Sequence, residues 1–216
     1  MIKCRQNLFS EGYIIKKILP WLGVSNFKNV RALTLAAVLI ALAVIGYGLL
    51  RIPIIPGQVE MRFGFLFIAA TAFLFGPAVA FPAGVIASML GFLLFSTGAA
   101  FNPLFDLNEG FAGILFAAFL YKRNPKSEYF IIWIVLARAS VNIICNIIIR
   151  THLLVLFGFI PPAGINVVTT LRIFRNIMLL PVEIIMMFII IKFVAVYAQR
   201  YNFIKPQKII KKENNI

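Results

Sequence analysis

The chain has 216 residues, 62% of them hydrophobic, and carries a net charge of +14. A soluble domain is about 45 to 50% apolar, so this composition predicts an all-α, polytopic membrane protein forming one helical bundle. The basic residues stand in short segments beside apolar spans, which argues against nucleic acid as a partner and makes the charge a signal of membrane topology. Cys4 and Cys145 indicate no disulfide framework.

The first 31 residues form a basic segment that either lies at the membrane interface or is a solvated tail. It lacks the short apolar core and small-residue cleavage site of a signal peptide. The first span is predicted from Ala32 to Leu50, ended by Arg51 and two prolines.

Small residues line two faces of this first span. Such faces let another helix approach closely, either within the bundle or from another subunit, and spacing alone favours packing within the bundle. One face carries Ala32, Ala36 and Ala43, and the other carries Ala37 and Ala41.

From Phe63 to Phe105 the chain is nearly uncharged, and as a single helix it would be roughly 60 Å long, about twice the thickness of a bilayer core. We therefore expect it to fold back at Gly76-Pro77. A polar connection is predicted from Asn102 to Glu109. The next three predicted spans are Phe63 to Phe75, Ala78 to Thr97 and Gly110 to Tyr121.

The fifth predicted span, Tyr129 to Phe157, carries a polar residue at every fourth position. On an α-helix this spacing rotates by about 40° per step and forms a slanting seam on one side. The seam consists of Arg138, Asn142, Asn146 and Arg150.

The sixth predicted span, Val167 to Tyr197, carries the most polar face in the chain. At helical spacing its polar residues fall within a stripe roughly 100° wide. Charges cost at least about 2.5 to 3.5 kcal/mol each at the centre of a membrane helix, so the stripe must face protein, water or a ligand. Its members are Arg172, Arg175, Asn176, Leu179 and Glu183.

Fifteen of the 21 basic residues lie in the N-terminal segment, in the Lys122 to Lys126 loop or from Lys192 onward. With six spans these regions share one side, and the positive-inside rule makes that side cytoplasmic for both termini. The predicted regions are therefore a cytoplasmic segment 1–31, a membrane domain 32–197 and a cytoplasmic tail 198–216 in a multi-pass plasma-membrane protein. Arg150, Arg172 and Arg175 then lie in the outer half, where they form an outward-facing basic pocket.

Arginine offers paired donors that match a carboxylate or a phosphate, so this pocket is predicted to bind an anion. The competing interpretation pairs these arginines internally with Glu183 or Glu60. His152, the one histidine, is expected to be a polar contact at the outer rim, and no metal site is expected.

No phosphate-binding loop, nucleophile elbow or paired acids are present, so we expect neither an enzyme nor a bound cofactor. Transport energy would then come from an ion gradient or from a partner.

Several segments together resemble one family. They are Arg31 to Ala43, Arg62-Phe63-Gly64-Phe65, Gly76-Pro77, the Gly84 to Gly91 run and, most specifically, the stretch from Arg172 to Glu183. The chain is similar over about Ala32 to Val196 to the substrate-binding S component of energy-coupling factor (ECF) vitamin transporters, most closely to the folate-type branch.

The resemblance implies a six-transmembrane-helix bundle that captures a vitamin, here folate, from outside the cell. It implies delivery together with a shared transmembrane coupling subunit and two ATPase subunits, in a lipid bilayer. It also implies that the alanine face of the first helix, Ala32 and Ala36 or Ala37 and Ala41, docks onto the coupling subunit. The expected substrate-binding residues are Arg62, Asn146, Arg150, His152, Arg172, Arg175 and Asn176.

The sequence departs from the family pattern at Ser88, where an aspartate is common, and at Arg150-Thr151-His152, where an asparagine usually precedes the threonine. Pantothenate, hydroxymethylpyrimidine or another vitamin precursor therefore stays open as the substrate. Two other classes stay open: a membrane enzyme acting on lipid head groups, which would show clustered acids, and a stand-alone secondary transporter, which would show two related halves.

Overall fold

The structure is a computed structural model that describes residues 22–24, 29–55, 59–95, 101–125, 127–159, 161 and 164–200. Most of the predicted N-terminal segment 1–31 and nearly all of the tail 198–216 lie outside these residues, as do Cys4 and the side chain of Glu60.

The described residues form helices joined by short connections, with one β-hairpin. The helices are α1 (Val30–Gly48), α2 (Gly64–Phe75), α3 (Pro77–Phe95), α4 (Pro103–Leu120), α5 (Phe130–Val141), α6 (Arg150–Leu156) and α7 (Ile165–Arg200). A π-helical segment, Asn142–Ile149, joins α5 to α6 without a break, so these three pieces make one rod.

The six resulting rods confirm the predicted all-α membrane bundle. Five of them, including the rod Phe130–Leu156, are long and apolar enough to cross a membrane. The sixth, α2, has 12 residues, all buried except Phe67. At about 1.5 Å per residue, α2 is roughly 18 Å long, which is shorter than the thickness of a bilayer core. Its neighbours enclose it.

The predicted break at Gly76-Pro77 is present. Gly76 has φ of 85°, a left-handed conformation that glycine adopts without steric cost, and Pro77 begins α3. The connection predicted between the first two spans contains two antiparallel strands, β1 (Arg51–Ile55) and β2 (Val59–Arg62), with Arg51 opposite Arg62.

The start of the fourth span was predicted wrongly. Residues expected in a polar connection belong to α4, which begins seven residues earlier, at Pro103. The Asn102 side chain accepts a hydrogen bond from the Leu104 N–H and caps the helix, and proline is favoured at the first helical position. Asp106 and Asn108 are buried within α4, where other helices bind the Asp106 carboxylate and the Asn108 Nδ2, while Asn108 Oδ1 has no partner among the described residues.

Glycines bring α3 and α4 into backbone contact. A Cβ atom on Gly84 would lie 2.5 Å from the Glu109 carbonyl oxygen, and one on Gly113 would lie 2.5 Å from the Ala80 carbonyl oxygen. Neither position tolerates a side chain without movement of the backbone. This close approach lets Ser88 of α3 donate a 2.6 Å hydrogen bond to the Asp106 carboxylate of α4.

The predicted topology can be tested by labelling single cysteines in a background without Cys4 and Cys145. Asn124 and Pro161 are both exposed and follow opposite ends of the bundle. We expect Pro161→Cys to react with an impermeant thiol reagent in intact cells, and Asn124→Cys to react only after permeabilisation. Labelling of Asn124→Cys but not of Pro161→Cys in intact cells would invert the orientation.

Candidate functional site

A buried ion pair joins α5 to α7. Arg138 donates from Nε to Glu183 Oε2 at 2.8 Å and from Nη2 to Glu183 Oε1 at 2.6 Å, and Asn142 Nδ2 lies 3.3 Å from the same Oε2. The two side chains are 5% and 7% exposed. The Phe65 ring of α2 lies against the guanidinium, 3.7 Å from Cζ to the ring centre. Glu183 is therefore neutralised by Arg138, within a bidentate pair.

A chain of polar contacts extends from this pair along the predicted seam. Asn146 Nδ2 donates to Asn142 Oδ1 at 2.9 Å, and Arg172 Nη1 donates to the Asn146 carbonyl oxygen at 3.1 Å. Side chains four residues apart are neighbours on one side of a helix, which brings Asn142 and Asn146 into contact. The seam thus leads from the buried ion pair to the arginines of α7.

The π-helical segment also changes which carbonyl oxygens are available. The Arg150 N–H bonds to the Cys145 carbonyl five residues back, not to the Asn146 carbonyl four residues back. The Asn146 carbonyl instead accepts from Arg172, and the Cys145 carbonyl also accepts from Asn108 Nδ2 at 3.3 Å. Backbone oxygens of the rod therefore bind side chains of α4 and α7.

Three arginines gather at the Arg150 end of the seam. Arg150 Nη1 lies 3.3 Å from Glu109 Oε1, whereas the hydrogen bond of Arg172 described above goes to a neutral carbonyl. Arg175 follows Arg172 by three residues on the same face of α7, and the Asn146 carbonyl that Arg172 binds lies four residues before Arg150. Arg172 and Arg175 are half-buried on the inward face of α7, as the polar stripe predicted. This group of Arg150, Arg172 and Arg175 is called the arginine cluster below.

The structure brings together only part of the predicted substrate-binding set. Asn146 contacts the arginine cluster through its carbonyl, and Asn176 donates to the Arg172 carbonyl of its own helix at 2.8 Å. His152 is exposed on α6, and Arg62 is exposed at the end of β2. Their roles stay predictions.

Sequence reasoning missed Glu109 and Tyr47 as parts of the site. Tyr47 of α1 donates from its hydroxyl to Glu109 Oε2 at 3.1 Å. Glu109 stood in the segment predicted to be a connection, and a tyrosine at the end of an apolar span carries no signal of its own. Among the described residues, no group of three or more His, Cys, Asp or Glu side chains could hold a metal ion.

The two alanine faces of α1 have different surroundings. Ala32 and Ala36 are each 2% exposed, and Ala43 is fully buried. Packing within the bundle thus accounts for the burial of this face, and the docking role expected of either alanine pair stays a prediction. Ala37 and Ala41 are exposed.

The family model described as the substrate-specific component of the ECF transporter matches residues 31–198. The chain belongs to this family. Nine chains of solved structures match its fold. One is the crystal structure of FolT bound with folic acid, which is 24% identical with a TM-score of 0.62, over 82% of this chain and 96% of that chain. No curated protein matches the sequence. The chain is thus a substrate-specific component of an ECF transporter, and its bundle has the FolT fold.

Because Glu183 belongs to the buried ion pair and Arg172 does not, substitutions at the two positions should lower the melting temperature by different amounts. Removing one partner of a buried pair leaves an uncompensated charge and costs about 3 to 5 kcal/mol. We expect Glu183→Ala to lower the melting temperature of the purified ECF component strongly, and Arg138→Met in the same chain to restore part of the loss. Arg172→Ala, whose hydrogen bond goes to a carbonyl, should have a smaller effect. Equal losses in Glu183→Ala and Arg172→Ala would contradict this assignment.

Proposed function

We propose that this ECF component binds folate and that the arginine cluster binds the acid groups of the vitamin. The observation that carries the proposal is that guanidinium groups from α6 and α7 come together: Arg172 binds the Asn146 carbonyl four residues before Arg150, and Arg175 lies on the same face of α7 as Arg172. An anionic ligand placed among these like charges would offset their mutual repulsion. Folate ends in a glutamate with two carboxylates, and arginine matches carboxylates in a paired geometry.

Among the described residues, the hydrogen bond of Arg172 goes to a carbonyl oxygen and not to an acid. Glu109 contacts Arg150, and Glu183, which the sequence offered as an internal partner, is held by Arg138. The folic acid bound by FolT, a protein of the same fold, supports folate over other anionic vitamins. Pantothenate is also a carboxylate, and hydroxymethylpyrimidine is neutral, so the charge of the cluster favours the former of these two alternatives.

The family supports a transport cycle with partners. We propose that the chain acts with an ECF transmembrane coupling subunit and two ATPase subunits, in the plasma membrane, with both termini cytoplasmic. The membrane domain of this arrangement is residues 32–197. Substrate capture from outside agrees with the place of the arginine cluster, since α7 begins after the connection that the topology puts outside.

The ligand role predicts a loss of affinity when an arginine of the cluster is removed. A hydrogen bond to a charged group contributes about 1.5 to 3 kcal/mol, which corresponds to roughly 10- to 100-fold in affinity. We expect Arg172→Ala and Arg175→Ala to weaken folate binding by this order in calorimetric titrations. Lysine at either position should restore it only in part, because an ammonium lacks the planar fork. Asn176→Ala should cost less, since its amide bonds within α7.

Arg200→Ala, at the exposed end of α7, removes the same charge far from the cluster and serves as the matched control. Unchanged folate affinity in both Arg172→Ala and Arg175→Ala would refute the binding role. Titration of the unmutated protein with pantothenate and hydroxymethylpyrimidine separates the alternatives, and tighter binding of either would replace folate.

We propose Ala37 and Ala41 as the face of α1 that docks onto the coupling subunit. They are the exposed small residues of this helix at four-residue spacing. A helix with small residues at such spacing permits close contact with a second helix in a membrane.

Tryptophan at these positions tests the docking face. We expect Ala37→Trp and Ala41→Trp to abolish folate uptake by cells while the purified variants bind folate normally, because the added bulk blocks docking and leaves the pocket intact. Ala36→Trp is the matched control: its side chain is buried, so it should lower the melting temperature. If uptake survives in both exposed variants, docking does not use this face.

A further inference from the structure

The Glu109 carboxylate bridges two helices that come from distant parts of the chain. Its Oε2 accepts the Tyr47 hydroxyl of α1 at 3.1 Å, and its Oε1 lies 3.3 Å from Arg150 Nη1 of α6. The Glu109 side chain is 19% exposed and that of Arg150 is 32% exposed. Each carboxylate oxygen thus has one partner, and the outermost arginine of the seam is tied through Glu109 to the end of α1.

The Tyr47 ring sits in a socket made by two glycines. A Cβ atom on Gly64 of α2 would lie 2.5 Å from the ring, and one on Gly91 of α3 would lie 3.3 Å from the Tyr47 Cβ. The backbones of α2 and α3 therefore close around this side chain. This packing fixes the position of the Tyr47 hydroxyl, which donates to Glu109.

Glu109 is fixed from its own side as well. A Cβ atom on Gly84 would lie 2.5 Å from the Glu109 carbonyl oxygen, so the backbones of α3 and α4 are in close contact at this residue. With the backbone and one carboxylate oxygen both held, the second oxygen presents a fixed acceptor to Arg150. The Phe105 ring, 5.9 Å from the Arg150 Cζ, lies near the same guanidinium.

We propose that Glu109 is a positioning residue for the substrate, which orients the Arg150 guanidinium, and that Tyr47 acts by holding Glu109. This inference rests on the proposed function, in which Arg150 contacts an acid group of the ligand. Arginine has five donors, and the contact with Glu109 uses Nη1, so other donors remain for a ligand. A guanidinium that is oriented before binding loses less side-chain freedom on binding, which strengthens the complex.

A competing role for Glu109 predicts the opposite change in ligand affinity. If its carboxylate instead competed with the acid group of the ligand for Arg150, removal of its charge would tighten binding. A positioning role requires weaker binding, and it requires that the effect pass through Arg150. The sign of the change and its dependence on Arg150 therefore distinguish the two roles.

The test is calorimetric titration with folate of Glu109→Gln, Tyr47→Phe and Arg150→Ala, together with the double variant Glu109→Gln/Arg150→Ala. We expect Glu109→Gln to weaken binding by about fivefold and Tyr47→Phe by about twofold, in the range of a single hydrogen bond. In the Arg150→Ala background, Glu109→Gln should have no further effect. Glu128→Gln and Tyr129→Phe make the same chemical changes at exposed positions and should leave affinity unchanged.

Each other result overturns the inference. Tighter binding by Glu109→Gln shows competition, and a full additional loss in the Arg150→Ala background shows that Glu109 acts elsewhere. Unchanged affinity in Arg150→Ala also overturns it, whereas the proposed function is tested separately and fails if Arg172→Ala and Arg175→Ala both leave affinity unchanged. Should Glu109→Gln not fold, Tyr47→Phe keeps the ring in its socket and removes only the hydroxyl, and unchanged affinity there is equally decisive.

Discussion

The buried pair of Arg138 and Glu183 is the interaction on which the arrangement of this bundle depends. Two charges in the middle of a membrane protein are tolerated when each satisfies the other, and here they do so with two hydrogen bonds. The pair fixes α5 against α7, with the Phe65 ring of α2 against the guanidinium. The pair also occupies Glu183, the acid on the polar face of α7, which therefore does not pair with the arginines of that face.

The π-helical segment links the buried ion pair to the arginine cluster. A regular α-helix would use the Asn146 carbonyl within its own ladder, whereas the shift to a five-residue bond at Arg150 makes that oxygen an acceptor for Arg172. The polar seam then runs without interruption from the ion pair to the arginine cluster. A π turn beside the proposed binding site agrees with the frequent occurrence of such turns at functional sites.

The sequence predicted the features that depend on local chemistry. The number of helices, the break at Gly76-Pro77 and the inward polar face of α7 all follow from hydropathy, backbone preference and helical periodicity. The two alanine faces of α1 were equivalent by spacing, and only the packing of the other helices distinguishes them. Burial of Ala36 and exposure of Ala37 could not be read from a pattern that both share.

Features that depend on distant partners were missed. The first turns of α4 looked like a connection because Asp106, Asn108 and Glu109 are polar, and their partners on α3, the π-helical segment and α1 lie far away in sequence. The π-helical segment itself has no sequence signal. Its backbone carbonyls are bonded by side chains of other helices, which lie far away in the sequence. For the same reason, Glu183 could not be assigned to Arg138 before the structure was known.

We propose that the arginine cluster selects an acidic vitamin. Mass spectrometry of the small molecule that remains bound to the purified ECF component tests it most directly, with the unmutated protein compared with a variant carrying both Arg172→Ala and Arg175→Ala. The account predicts a molecule with carboxylate groups, of the mass of a folate, on the unmutated protein and its loss from the variant. A neutral molecule retained equally by both proteins would contradict it.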